Sequence, residues 1–417
     1  MPLLYLHVGL MKTGTTYLQS LCKDNAAELA EQGIYYPTGP DAPSQRHAVW
    51  DLVGRRAKGA RDDRITGQWK ALTDSVARAA EPTVLLSEEY LASANVRLAR
   101  RVVAGFPDRE VHVLVTARDL GRVLASAWQE DVKNDTTRTW AQYIAAIRDP
   151  GTRGQDPARS FWMRHDLSAI VDTWASVVGA ERVHIVTVPP AGAPRDLLLQ
   201  RIASVVGFDP SRLTSQPRPN ESLGAPATEV LRRVNERLGH RLNERQYDKV
   251  IKVTLQRGLT RRPGTQQLQL APADLAWATT VAERTVAHLE HGFHVVGALE
   301  ELLPVAGDGR RPDEFSTEEM LEASLDALAL VAEDYASTWW RLRRSDSPKV
   351  AATSRAVRVS SALRSVGFEA RRRGAKLADR NPLAATAMRG YLRLRAAERR
   401  RPVRAQKPAG NDTKGEE

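Results

Sequence analysis

The chain has 417 residues, 42% hydrophobic and 27% charged, an ordinary soluble composition that can bury a sizeable core in one large domain or two smaller ones. Its net charge of +11 divides unevenly: residues 341–417 hold 21 Lys and Arg against 7 Asp and Glu, which leaves 40 against 43 in the remainder. The basicity therefore belongs to the tail and does not argue that the folded body binds nucleic acid. One cysteine, Cys22, excludes an intramolecular disulfide. The chain shows no cationic leader and no apolar run of roughly 18 residues, so a cytoplasmic protein is expected.

Leu3 to Val8 is a nearly continuous apolar run that reads as a buried strand. A glycine-containing loop follows, then a helix predicted through about Gln32. Similar runs recur at Thr83–Leu86, Val111–Val115 and Val183–Val188, separated by helical stretches. They lack the polar alternation of a half-exposed antiparallel sheet, so the pattern predicts an α/β fold with a central parallel sheet and helices on both faces. Beyond about Phe208 the chain reads as mainly helical, with loops at Pro217–Pro226 and Arg257–Pro272 expected to form lids or caps. Gly292–Gly297 reads as a turn and a short strand. The polar linker Ala306–Glu314 marks the main boundary, with Ser316 and Glu319 as a capping box for a helix to about Arg343 that ends in Trp339–Trp340. The expected divisions are 1–305, a linker and helix over 306–344, and a basic tail over 345–417.

The loop His7-Val8-Gly9-Leu10-Met11-Lys12-Thr13-Gly14-Thr15-Thr16 carries the strongest chemical signal. A strand that delivers Gly9, Lys12, Gly14, Thr15 and Thr16 into a helix meets the needs of a phosphate or sulfate cradle. Glycine permits close backbone approach, helix N-terminal amides are unpaired donors, lysine neutralises charge and threonines donate hydroxyls. Nucleotide triphosphatases place lysine after the final glycine of the loop. Here it precedes Gly14, which argues against ordinary ATP or GTP binding.

At these residues the chain resembles the sulfotransferase superfamily, whose 5'-phosphosulfate loop commonly reads K-[ST]-G-[ST]-[ST], as Lys12-Thr13-Gly14-Thr15-Thr16 does. A second motif supports the resemblance. The run Val111–Asp119 ends an apolar strand on Arg118, and Ser126 follows eight positions later in the next helix. The resemblance implies that Arg118 and Ser126 bind the 3'-phosphate of the sulfuryl donor, 3'-phosphoadenosine 5'-phosphosulfate. An arginine fork suits that task through bidentate, charge-assisted bonds. The resemblance spans about Leu3–Pro304 and implies a P-loop-like fold.

Sulfuryl transfer also needs a proton acceptor and charge stabilisation at the bridging oxygen. Lys12 is the expected stabiliser. Ser87-Glu88-Glu89 closes a strand with two acids at the sheet edge where α/β proteins place active residues. Similarity to family members with a strand-end glutamate implies Glu89 as the base, with Glu88 the neighbouring candidate and the other acid expected to meet solvent. His47 is the rival, because other sulfotransferases use histidine and its ordinary pKa suits proton transfer.

The implied function is sulfuryl transfer to a hydroxyl or amine of a carbohydrate, glycolipid or other small acceptor, with no metal required. The rivals are a phosphotransferase with an aberrant loop and a non-catalytic scaffold that binds membrane or nucleic acid through the tail. His288, His291 and His294 have a metal-like rhythm, but Gly292 is expected to end their helix and scatter them. Cys22 reads as core packing, and Arg261 and Arg262 as a solvated turn. In the tail, Val359, Leu363 and Val366 follow helical spacing among arginines, compatible with an amphipathic helix on an anionic membrane at the inner face.

Overall fold

A computed structural model describes residues 1–39, 42–54, 64–214, 223–260 and 266–345. Arg261, Arg262, most of the Pro217–Pro226 loop and the tail segment with Val359, Leu363 and Val366 lie outside the described residues. The fold is α/β. Six strands, β1 (Leu3–Gly9), β2 (Ile34–Tyr35), β3 (Thr83–Ser87), β4 (Glu110–Ala117), β5 (Val183–Thr187) and β6 (His294–Val296), form one sheet in the order β2-β3-β1-β4-β5-β6. Every pairing in it is parallel.

The apolar runs behave as continuous runs should, with both faces covered. Leu4, Leu6 and Val8 pack on one face with Val84, Leu86, Val113 and Val115, against Val171 and Trp174 of the helix Leu167–Val178. Tyr5, Leu85, Leu114 and Val186 pack on the other, against Leu18, Leu21 and Cys22 of the helix Thr15–Asp24 and Ile202 of the helix Leu197–Val206. Cys22 is thus core, and burial pushes its thiol up to about 12. A third cluster, with Trp128, Trp140, Tyr143, Phe161, Leu231 and Leu255, joins the later helices.

Two local differences from the sequence reading have physical causes. The first helix stops at Asp24 and a second runs over Ala26–Glu31, because Asn25 between them donates its amide to Leu21 O (2.8 Å) and accepts from Thr214 N (2.8 Å). A side chain that bonds the backbone in this way competes with the helical ladder. β2 adds an edge too short to register as an apolar run. The capping box is present: Ser316 Oγ accepts from Glu319 N (3.1 Å) and Glu319 Oε2 from Ser316 N (2.8 Å), opening the helix Thr317–Ser345. Among the described residues no helix is long and apolar enough to cross a membrane.

The topology positions the site. From β1 the chain first builds β2 and β3 on one side, then β4, β5 and β6 on the other, so strand order reverses at β1. In such sheets the crevice at the carboxyl ends of the strands flanking that reversal is where ligands bind. The ends of β3, β1 and β4 carry Glu88 and Glu89, the Lys12 loop and Arg118 respectively.

Candidate functional site

β1 ends where Gly9 takes φ 109° and the β1–β4 register shifts. A side chain there would press on Met11 N at 3.3 Å and touch Glu89 Cα at 3.5 Å, so glycine with its positive φ lets the loop turn beside the end of β3. Beneath the loop lies a buried polar frame that the sequence reading did not anticipate. His7, fully buried, bonds Ser87 Oγ through Nδ1 (2.8 Å) and Thr116 Oγ1 through Nε2 (3.0 Å). Thr116 Oγ1 in turn donates to Gly9 O (3.0 Å) and meets Thr13 Oγ1 (2.6 Å), which donates to Leu10 O (2.5 Å). The frame ties β3, β1 and β4 to the loop.

Burial lowers the His7 imidazole from 6.5 to about 4. Its folded value lies below its unfolded one, so this contribution to stability is complete above about 6.5 and is lost as pH falls toward 4. His7→Leu, which orphans the buried Ser87 hydroxyl while Thr116 keeps its bonds to Gly9 O and Thr13, is expected to cost roughly 1–3 kcal/mol in chemical denaturation at pH 7.5. An unchanged denaturation midpoint would remove the frame from the account.

On top of the frame, Gly14 (φ 95°) begins the helix Thr15–Asp24 and no side chain caps it, which leaves its first amides directed at the crevice. Thr13 and Thr15 are almost wholly buried. Their hydroxyls donate inward to Leu10 O, so Thr13 offers an anion only its main chain. Thr16 is exposed.

Lys12 stands in the left-handed region (φ 66°). Its carbonyl accepts from Arg118 Nη1 (3.1 Å) and its ammonium donates to Glu130 Oε2 (2.5 Å). The two motifs, about a hundred residues apart in sequence, thus meet directly. Arg118 Nε is buried and has no hydrogen-bond partner among the described residues. Burial and the adjacent Arg122 lower the Arg118 guanidinium to about 10, against the pull of Asp119, so it remains a cation at neutral pH. Arg122, Ser126 and Glu130 follow one another at intervals of four on the helix Leu120–Lys133 and therefore share one face. Ser126 Oγ donates to Arg122 O (2.8 Å), the back-bond of a helical serine.

The acids at the end of β3 differ from expectation. Glu88, the acid expected to meet solvent, is buried, whereas Glu89 is only partly buried. Glu88 is 3% exposed, accepts from Tyr90 N (3.3 Å) and faces Arg46 Nε at 3.7 Å. Burial pushes its carboxyl up to about 7 against the attraction of Arg46. Glu89 is also raised by burial, opposed by Arg46 and Lys12, with Glu130 adding to the rise and a Thr15 hydrogen bond countering it. The cover comes from the helix Gln45–Leu52, whose Gln45 Oε1 accepts from Ser87 N (2.8 Å). The ring of His47 on that helix lies tilted against Trp50, with centroids 5.5 Å apart. Arg46, its neighbour, is the residue that reaches the acids.

Another residue outside the sequence reading is His165, 6% exposed, with Nδ1 buried and unpartnered among the described residues. Burial, Arg164 and Lys12 hold it down to about 3, so it is neutral. The three histidines with a metal-like rhythm separate: His288 pairs with Asp172 (2.8 Å) and His294 on β6 bonds His184 (2.8 Å).

The arrangement offers an anionic ligand Lys12, the helix amides and Arg118, beside two carboxyls raised by burial. No family model matches the chain, and no curated protein matches it. Among solved structures it is similar to a sulfotransferase from Alicyclobacillus acidocaldarius, at 16% identity and a TM-score of 0.34, over 58% of this chain and 97% of that one.

Proposed function

We propose that this chain is a sulfotransferase that moves a sulfuryl group from 3'-phosphoadenosine 5'-phosphosulfate to a hydroxyl or amine of a carbohydrate, glycolipid or other small acceptor. One observation carries the reading: Arg118 Nη1 donates to the carbonyl of Lys12 at 3.1 Å at the reversal of strand order. A 3'-phosphorylated nucleotide with a 5'-phosphosulfate has two separate anionic ends, and two adjoining cationic motifs match that distribution. The orphaned Arg118 Nε and the uncapped helix supply donors that such a ligand would satisfy.

In this reading the helix amides and Lys12 hold the 5'-phosphosulfate, and Arg118 and Ser126 hold the 3'-phosphate. Ser126 turns its hydroxyl from Arg122 O to do so. The acceptor oxygen attacks sulfur in line, a new S–O bond forms, and the bond from sulfur to the bridging phosphate oxygen breaks. Lys12 stabilises the charge left on that oxygen. Glu89 takes the acceptor's proton, its affinity for protons raised by burial.

The reading is tested by incubating the protein with donor carrying radiolabelled sulfate and a panel of polysaccharides, glycolipids and small alcohols. Label should pass to an acceptor without added metal or ATP, and labelling that required ATP would overturn it. Arg118→Ala is expected to weaken binding of 3'-phosphoadenosine 5'-phosphate, followed by calorimetry, on the order of 10²-fold. Unchanged affinity would detach Arg118 from the site.

A further inference from the structure

Glu130 has no part in the transfer as written, yet it makes the shortest contact to the central cation. Lys12 Nζ and Glu130 Oε2 are 2.5 Å apart, where an anionic group is to bind. We propose that Glu130 is a positioning residue that holds the Lys12 ammonium until an incoming anion displaces it, so that the pair acts as a latch on the loop. The proposal rests on the reading of this loop as the donor site.

Three features make a latch of the pair. It sits at the mouth, with Lys12 and Glu130 side chains 29% and 37% exposed, so solvent and an anion reach it and the bond is weak enough to exchange. The backbone of Lys12 is fixed by its left-handed conformation and by Arg118 on its carbonyl, so release is a swing of the side chain alone. Glu130 also has other partners: Lys133 Nζ lies 4.0 Å from Oε2, and Asn134 Nδ2 donates to Oε1 (3.3 Å). Losing Lys12 therefore does not strand a bare carboxylate.

The latch has a measurable cost. If Glu130 occupies Lys12 about nine-tenths of the time, apparent donor affinity falls about tenfold, because only the released fraction binds. Glu130→Gln should then tighten binding of 3'-phosphoadenosine 5'-phosphate about tenfold by calorimetry. Simple removal of a repelling charge would also tighten binding, so the decisive comparison is made in the Lys12→Met background. If Glu130 acts through Lys12, Glu130→Gln has no effect there. Tightening of the same size in both backgrounds, or no tightening in the wild-type background, overturns the latch. A wild-type protein that binds no such nucleotide overturns the donor-site reading itself, and the latch with it. Thermal melts of each variant establish that the compared proteins are folded.

Discussion

Replacing Glu89 with Gln is expected to lower the turnover number by about 10²–10⁴ while leaving nucleotide binding almost intact, the loss attached to a general base. The fold places Glu89 against Gly9 of the loop, within the field of Lys12 and bonded by Thr15. Glu88 is more deeply buried, and its carboxylate is used in capping the turn at Tyr90 N. Glu88→Gln should accordingly reduce turnover far less.

The two acids are adjacent like charges, and the charge of Glu89 adds to the rise of Glu88. Burial raises both, Glu88 to about 7. A base acts only when ionised, so turnover in the wild type should rise as pH climbs above the ordinary carboxylate range, the direction in which burial moves Glu89. That acid limb should vanish in Glu89→Gln. Full activity in Glu89→Gln, with the larger loss in Glu88→Gln, would exchange the two assignments.

Lys12→Met is the second large effect, an expected loss of roughly 10²–10³ in turnover, the size seen when one donor to a developing anion is removed. The loss has two sources here. The bridging oxygen loses its cation, and Glu89 loses an attraction that opposes its rise, leaving less of the base ionised at a given pH. Raising the pH should therefore recover part of the Lys12→Met deficit but none of the Glu89→Gln deficit. Lys12→Arg keeps the charge but replaces a compact ammonium with a broad planar fork, and only partial recovery is expected. A Lys12→Met protein that transfers sulfate at the wild-type rate would contradict the role given to the loop.

Much of this arrangement was legible in the sequence because it rests on local signals. The apolar runs at Leu3, Thr83, Val111 and Val183 each became a central strand, since parallel strands covered on both faces need no polar alternation. The loop and Arg118 could be read separately, but their contact depends on which strands neighbour β1. The exposure expected for Glu88, the acid beside the preferred base, failed for the same reason: alternation separates the two side chains, whereas the cover over Glu88 comes from a helix about forty residues away, whose Arg46 faces it. His7 was hidden because a histidine inside an apolar run carries no sign that hydroxyls of Ser87 and Thr116 will flank it. Glu130 was within reach. Its spacing of four from Ser126 places both on one helical face, and Ser126 was already assigned to the donor's 3'-phosphate.

The central claim, that this crevice takes a 3'-phosphorylated sulfuryl donor, is tested most directly by calorimetric titration of the wild-type protein with 3'-phosphoadenosine 5'-phosphate beside ADP and magnesium ATP. The bisphosphate should bind at least tenfold more tightly than ADP, because only it offers a phosphate to Arg118 while the loop holds the 5' end. Equal affinity for ADP, or tighter binding of magnesium ATP, would contradict it.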